Sequence, residues 1–366
     1  MTVTHRAQYQ VSTQRDAWVE IDLSALERNY KRISSIVKRD VMAVVKADAY
    51  GHGMTAICPI LEKLKVNSFG VATVDEGIAL RKAGITRPIL VLGATPFWAF
   101  ESCFLNNLTI TLYSKENINQ LIEFSKLRNS KLPVQIKVDT GMNRLGLPYS
   151  EAGEIIKEVI NTTSLKLEGI FTHLSDAKDY EFSKLQKERF EQVTQKYKDL
   201  KIQKHIANSF AAINYEDFRY DLVRIGIALY GQEFNFLEPI ISLKGRITNI
   251  HEVRENEFVS YERNWKSLKD SLIATVPVGY ADGIDRKLSN NISALCGKKE
   301  IKQIGNITMD QMMFDISEAR DLKTGDVITL IGKEIPISSW AEKLNTITYE
   351  LLTRLKMRLP RVYTRN

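Results

Sequence analysis

Five places in the chain pair a reactive residue type with the end of an apolar run. Lys46 follows VMAVV, Lys137 to Arg144 follow VQI, His173 follows GIFT, Ser209 follows HIAN, and Arg224 to Ile227 lie in LVRIGI. Most lysines after a strand are solvated surface charges. One sheltered from water has its pKa lowered by desolvation, and its neutral amine can attack an aldehyde to form a Schiff base. Ser209 alone reads as an ordinary helix cap, His173 alone as a satisfied core histidine, and Arg224 alone as one side of a structural ion pair. Their chemistry depends on whether the fold brings them together.

The elements needed to do so are legible. Short β-rich runs lie near residues 41–45, 68–73, 88–92, 108–113, 133–138, 166–172, 203–207 and 222–226, separated by segments of helical periodicity. That alternation is the pattern of a parallel sheet with crossover helices. In the opening helix Leu26, Tyr30, Ile33 and Val37 form one apolar face and Ser24 stands at the N-cap position; segments 114–127, 149–161 and 178–199 read as further helices. Eight strands alternating with helices predict an α/β fold, an N-terminal (β/α)8 TIM-type barrel over residues 17–238. An open doubly wound sheet would carry a glycine fingerprint after its first strand, and none stands there.

Beyond residue 238 the runs ISLKGRITNIHEV, SLIATVPVGY and DVITLIG alternate with period two, so 239–366 reads as a mostly β C-terminal domain with a final helix near 338–356, joined by segment 1–16. In such a barrel the active site forms where strands end and βα loops begin, often with a phosphate site after strands seven and eight. All five places named above fall at those ends.

Composition excludes more than it selects. With 44% hydrophobic and 26% charged residues the chain reads as globular, neither disordered nor membrane-embedded. The net charge of +7 is spread without a basic block, which argues against nucleic acid as a partner. Cys58, Cys103 and Cys296 have neither disulfide nor metal-ligand spacing, so no metal site is expected. The first sixteen residues lack a secretory apolar core, and a cytoplasmic protein is expected.

Seven motifs in order carry a family resemblance: AVVKADAYGHG (43–53), KVDTGMNRLG (137–146), HIANSFA (205–211), VRIGIALYG (223–231), VGYADG (278–283), GNITMDQ (305–311) and TYELLTRLKMRLPRVY (348–363). From about Trp18 to Tyr363 the chain resembles the alanine racemases. The resemblance implies pyridoxal 5'-phosphate (PLP) as the aldehyde held by Lys46. It assigns the phosphate to Tyr50, Ser209, Gly226, Ile227 and Tyr349, and sets Arg224 against the pyridine nitrogen. There a permanent donor disfavours ring protonation and weakens the electron sink, which suits racemisation over transamination.

The same resemblance matches Arg144 to the residue contacting the phenolic oxygen, with Lys137 beside it where some relatives carry a carbamylated lysine. It sets His173 between Arg224 and a catalytic tyrosine, in a cationic network favouring the phenolate. Racemisation needs acid/base groups on both faces of the α-carbon, and Tyr280 matches the partner of Lys46. Met309 matches a residue helping to hold the substrate carboxylate, and the family implies a homodimer with shared active sites. One departure stands out: Asn306 occupies a position where many relatives have arginine.

Three other readings compete. A serine or broad-spectrum racemase differs by contacts worth only ~1 to 3 kcal/mol. A non-enzymatic PLP-binding barrel would end near residue 238, and a PLP decarboxylase would carry a cysteine-centred site that is not found here.

Overall fold

The computed structural model describes residues 14–128 and 130–365; most of segment 1–16 therefore lies outside the described residues. By internal contacts the chain divides into two units. Of the described residues, one unit comprises 27–49 and those between 54 and 237; the other gathers 14–26, 50–53 and 238–365.

The first unit is the expected barrel. Its strands are β1 (Asp40–Val44), β2 (Ser68–Val71), β3 (Ile89–Val91), β4 (Thr109–Leu112), β5 (Leu132–Asp139), β6 (Leu165–Phe171), β7 (Gln203–His205) and β8 (Leu222–Ile225). All pair in parallel, in the order β8-β1-β2-β3-β4-β5-β6-β7. Backbone bonds from Asp221 N–H to Lys204 C=O (3.1 Å) and from Arg224 N–H to Ala207 C=O (3.0 Å) link the two ends of that order. Every residue of β2, β3, β4 and β8 is buried, as strands covered on both faces require. Helices Lys115–Arg128, Tyr149–Asn161 and Tyr180–Thr194 fall on the segments expected from periodicity.

The opening helix spans Leu23–Val37, and Leu26, Tyr30, Ile33 and Val37 are buried. Its cap is not Ser24. The Asp22 carboxylate accepts from Ser24 N–H (2.8 Å) and Ala25 N–H (3.0 Å), so Ser24 lies inside the first turn. A carboxylate there satisfies two end donors and faces the positive end of the helix dipole.

The second unit is built on a nine-stranded sheet in which Ile241–Arg246, Asn249–Val253, Ser271–Val276 and Val327–Ile331 match the alternating runs read from sequence. One strand was not read from the sequence. Ala17–Asp22 pairs antiparallel with Ile241–Arg246 and parallel with Arg361–Thr364. The single helix expected at 338–356 is two, Ser338–Leu344 and Thr348–Arg354. Between them Asn345 takes a left-handed conformation (φ 50, ψ 51), and its N–H turns back to Ala341 and Glu342 C=O. Asparagine tolerates that C-terminal geometry better than most residues. Among the described residues no helix is long and apolar enough to cross a membrane.

Candidate active site

Lys46 stands at the end of β1, and the backbone that follows it is strained. Ala47, Asp48, Ala49 and Tyr50 have φ of 51, 54, 54 and 56°, one turn of left-handed helix without a glycine among them. Such a turn costs roughly 1–2 kcal/mol per L-residue, so the surroundings must impose it. Ala47 N–H donates to Glu76 Oε1 (2.7 Å) and Met54 N–H to Asp48 Oδ1 (2.8 Å). Glu76 also accepts from Ala72 N–H (2.7 Å) and closes a capping box with Thr73, which ties the lysine turn to the helix after β2. Nothing in the motif AVVKADAYGHG announces this geometry. Burial, then repulsion from Arg144, lowers the Lys46 pKa, while Glu76 opposes the shift.

Lys137, in β5, is 5% exposed, and its ammonium lies 6.0 Å from the Phe171 ring centroid. Burial first, then Arg144 and Arg224, lower its pKa to about 8. Asp139 forms the loop that carries Arg144: its Oδ1 accepts from the N–H groups of Gly141, Met142 and Asn143 (2.9, 3.0 and 3.1 Å). The Lys137 shift has a consequence for stability. Between about pH 8 and the unfolded value near ~10.4 the unfolded chain holds the extra proton, so stability rises with pH across that window. At about 1.36 kcal/mol per unit the rise is on the order of 3 kcal/mol. Urea unfolding at a series of pH values should show the rise in the parent and a flatter curve in Lys137→Met; parallel curves would contradict it.

Arg224 is the centre of the cluster. It is buried, and its Nη1 and Nη2 donate to five acceptors: His205 Nδ1 (2.9 Å), His205 C=O (3.1 Å), Thr172 C=O (2.8 Å), His173 Nδ1 (3.0 Å) and Ile206 C=O (3.0 Å). Nε takes part in none of these bonds. Burial lowers the guanidinium to about 9, so it remains a cation at neutral pH.

His173 is held well below the ordinary histidine value by burial and by Arg224, Lys137, Arg144 and Lys46. It therefore enters the network as a neutral acceptor, where the family resemblance suggested a member of a cationic chain. His205 was overlooked in the sequence although it opens HIANSFA; its place at the end of β7 was the available signal. It is fully buried, stacks on Phe171 (4.9 Å, 4°), and bonds Gln135 Oε1 through Nε2 (2.8 Å).

Ser209, Gly226 and Ile227 come together at the ends of β7 and β8. Ser209 opens the helix Ser209–Asn214, and its Oγ accepts the Gly226 N–H (3.0 Å). The cap of that helix is Asn208, whose Oδ1 accepts from Ala211 N–H (3.1 Å), so the Ser209 hydroxyl is not used as a cap.

In the other unit Tyr50 and Tyr349 are neighbours, with ring centroids 6.0 Å apart. There too, Tyr280 begins a short turn, Tyr280–Asp282, and is 40% exposed. Tyr280 N–H donates to Thr308 C=O (3.0 Å) and Ala281 N–H to Met309 C=O (2.9 Å), which fastens the tyrosine turn to the Met309 segment. Only glycine fits before it: a Cβ at Gly279 would lie 2.4 Å from both carbonyl oxygens. Asp282, wholly buried, accepts Gly279 N–H (2.9 Å) and pairs with Arg15 (2.6 Å) and Arg358 (3.1 Å). Asn306 is committed to a loop. Its Nδ2 donates to Tyr261 C=O (2.9 Å) and Glu262 Oε2 (3.1 Å), and its Oδ1 accepts from Asn264 (2.7 Å).

Comparison with known proteins agrees with this architecture on both sides of the division. The family models for the alanine racemase N-terminal and C-terminal domains match residues 21–233 and 240–363. An alanine racemase of Nostoc sp. is 38% identical, over 94% of this chain and 95% of its own length. Among solved structures, alanine racemase of Clostridium difficile 630 superposes with a TM-score of 0.92 at 36% identity, covering 96% of each chain. The alanine racemase of Bartonella henselae with covalently bound pyridoxal phosphate has a TM-score of 0.87 at 29% identity, covering 95% of this chain and 99% of its own. With both domain models matched in order and relatives similar over nearly the full length, the chain belongs to the alanine racemase family.

Proposed function

We propose that this chain is a PLP-dependent racemase that interconverts L- and D-alanine by a two-base mechanism, supplying D-alanine for peptidoglycan synthesis in the cytoplasm. The observation that carries the reading is the cluster at the barrel strand ends: a half-buried lysine of lowered pKa and an arginine whose terminal nitrogens are all occupied by protein acceptors, both acting on the buried His173.

The donor set fits the cofactor. The Ser209 hydroxyl, which can donate while its oxygen accepts the Gly226 N–H, and the N–H groups of Ser209 and Phe210 are the kind of donors a phosphate takes at a helix start, with Gly226 allowing close backbone approach. Lys46 would hold the aldehyde carbon, Arg224 would offer Nε to the ring nitrogen, and Arg144 and His173 would line the ring. Tyr50, Ile227 and Tyr349 would complete the phosphate contacts. When bound, PLP withdraws electrons from the Cα–H bond of an attached amino acid.

The remaining work belongs to the side chains. Lys46 Nζ holds or accepts a proton on one face of the α-carbon, and a lowered pKa makes its neutral form more available. Tyr280 Oη does the same on the opposite face. Arg144 and the Met309 backbone orient the substrate carboxylate. We infer a homodimer in which the partner subunit completes each active site, the assembly that family membership implies.

Borohydride reduction of the PLP-loaded protein, followed by peptide mapping, should leave the pyridoxyl group on Lys46; an adduct on another lysine would contradict the assignment. Arg224→Glu tests the ring contact. A carboxylate favours a protonated ring nitrogen and slower return of the proton to the α-carbon, so pyruvate formed per D-alanine formed should rise at least about tenfold. An unchanged ratio would remove Arg224 from the ring.

A further inference from the structure

The bonds of Arg224 decide where the protons on two imidazoles sit. A guanidinium has donors only. His205 Nδ1 at 2.9 Å and His173 Nδ1 at 3.0 Å must therefore each present a lone pair to it. His205, neutral because burial and Arg224 hold its pKa well below the ordinary value, then carries its proton on Nε2. That N–H is enclosed in the barrel core and needs an acceptor, because a buried unpaired donor is costly. Gln135 supplies one through Oε1 at 2.8 Å. Only the carbonyl end of the amide can accept, so the orientation of Gln135 is determined as well.

The surroundings are shaped for this contact. Gln135 lies on β5 opposite Gly169 of β6, which pairs in turn with Gln203 of β7. A Cβ at Gly169 would stand 2.9 Å from Gln135 Cδ and 3.1 Å from its Oε1, so the missing side chain is the room the amide occupies. Phe171, also on β6, stacks on the His205 ring at 4.9 Å and 4°, restraining its tilt. Gly169, Gln135, His205 and Arg224 thus form a chain of contacts across the barrel interior.

We propose that Gln135 is a positioning residue: its carbonyl oxygen holds His205 in the Nε2–H tautomer, and His205 in turn holds the Arg224 guanidinium in the orientation its role towards the cofactor ring requires. This deepens the reading of Arg224 given above and rests on it. Without the amide carbonyl, the Nε2 proton is stranded or moves to Nδ1, where it opposes an Arg224 N–H. A carboxylate at position 135 draws a second proton onto the ring, with the same result at Nδ1.

The test combines 15N NMR of the histidine side chains in the PLP-loaded protein with the ratio of transamination to racemisation, for the parent, Gln135→Leu and Gln135→Glu. In the parent, His205 should show a protonated Nε2 and an unprotonated Nδ1. Both variants should lose that pattern, and their ratio should rise by about tenfold, the scale of one hydrogen bond to a charged group. The ratio does not depend on how much protein is folded, so a merely structural defect leaves it unmoved. The same His205 pattern in both variants, or a changed pattern with an unchanged ratio, would overturn the proposal. Failure of the underlying reading shows itself separately: a parent protein that neither takes up PLP nor racemises alanine removes the role of Arg224, and that of Gln135 with it, before any variant is made.

Discussion

With Lys46 replaced by alanine, alanine racemisation should fall by at least about four orders of magnitude while the chain still folds. The size of the loss follows from two jobs on one amine. Positioned acid/base groups contribute about 10²–10⁴ in rate, and Lys46 is also the proposed anchor of the cofactor. Folding should survive because the left-handed turn after Lys46 is held by Glu76, Asp48 and backbone groups, with no bond from the lysine side chain among them. Urea unfolding should therefore give a midpoint at or above that of the parent, since an amine that burial disfavours as a cation has been removed. Racemisation within tenfold of the parent in a folded Lys46→Ala protein would exclude the lysine from the chemistry.

The second large effect is expected from chains that complement each other. Tyr280→Phe removes only the hydroxyl, and the turn that carries it stays fastened by its backbone bonds to Thr308 and Met309 and by the buried Asp282. Its racemisation should drop by about 10²–10⁴ with little change in stability. If the proposed homodimer shares its active sites, a dimer of one Lys46→Ala chain and one Tyr280→Phe chain contains one site with both native groups and one with neither. Random assembly from equal amounts makes half the dimers mixed, so roughly a quarter of all sites should recover. Co-refolding the two variants and assaying D-alanine from L-alanine reads this directly. Activity that stays at the mean of the two parents after verified subunit exchange would put Lys46 and Tyr280 in one chain's site.

The barrel was legible because its strands are short apolar runs buried on both faces, a local signal that survives without knowledge of partners. The strand Ala17–Asp22 went unread for the converse reason: its neighbours are Ile241–Arg246 and Arg361–Thr364, hundreds of residues away, and no local pattern names them. Asp22 and Ser24 are both good caps, and only the observed bonds choose between them. The split of the last helix turns on one left-handed asparagine within an otherwise helical pattern.

In the site, the strand-end rule found Lys46, Lys137, His173, Ser209 and Arg224, but the strain after Lys46 is imposed by tertiary bonds to Glu76 and has no compositional mark. His205 and Gln135 went unread because a polar residue inside a strand looks like any other until its hydrogen-bond partner is known. Asn306, noted as a departure, pins a loop at Tyr261, Glu262 and Asn264.

The most direct measurement is isotopic. The PLP-loaded protein is incubated in deuterated water with L-alanine and, separately, with D-alanine, and the chirality and α-deuterium of the alanine are followed together. Two-base racemisation should bring both incubations to the same mixture of enantiomers, with deuterium at the α-carbon of each newly formed enantiomer from its first appearance. Release of carbon dioxide, exchange of the α-proton without inversion, or alanine recovered unchanged in both incubations would contradict it.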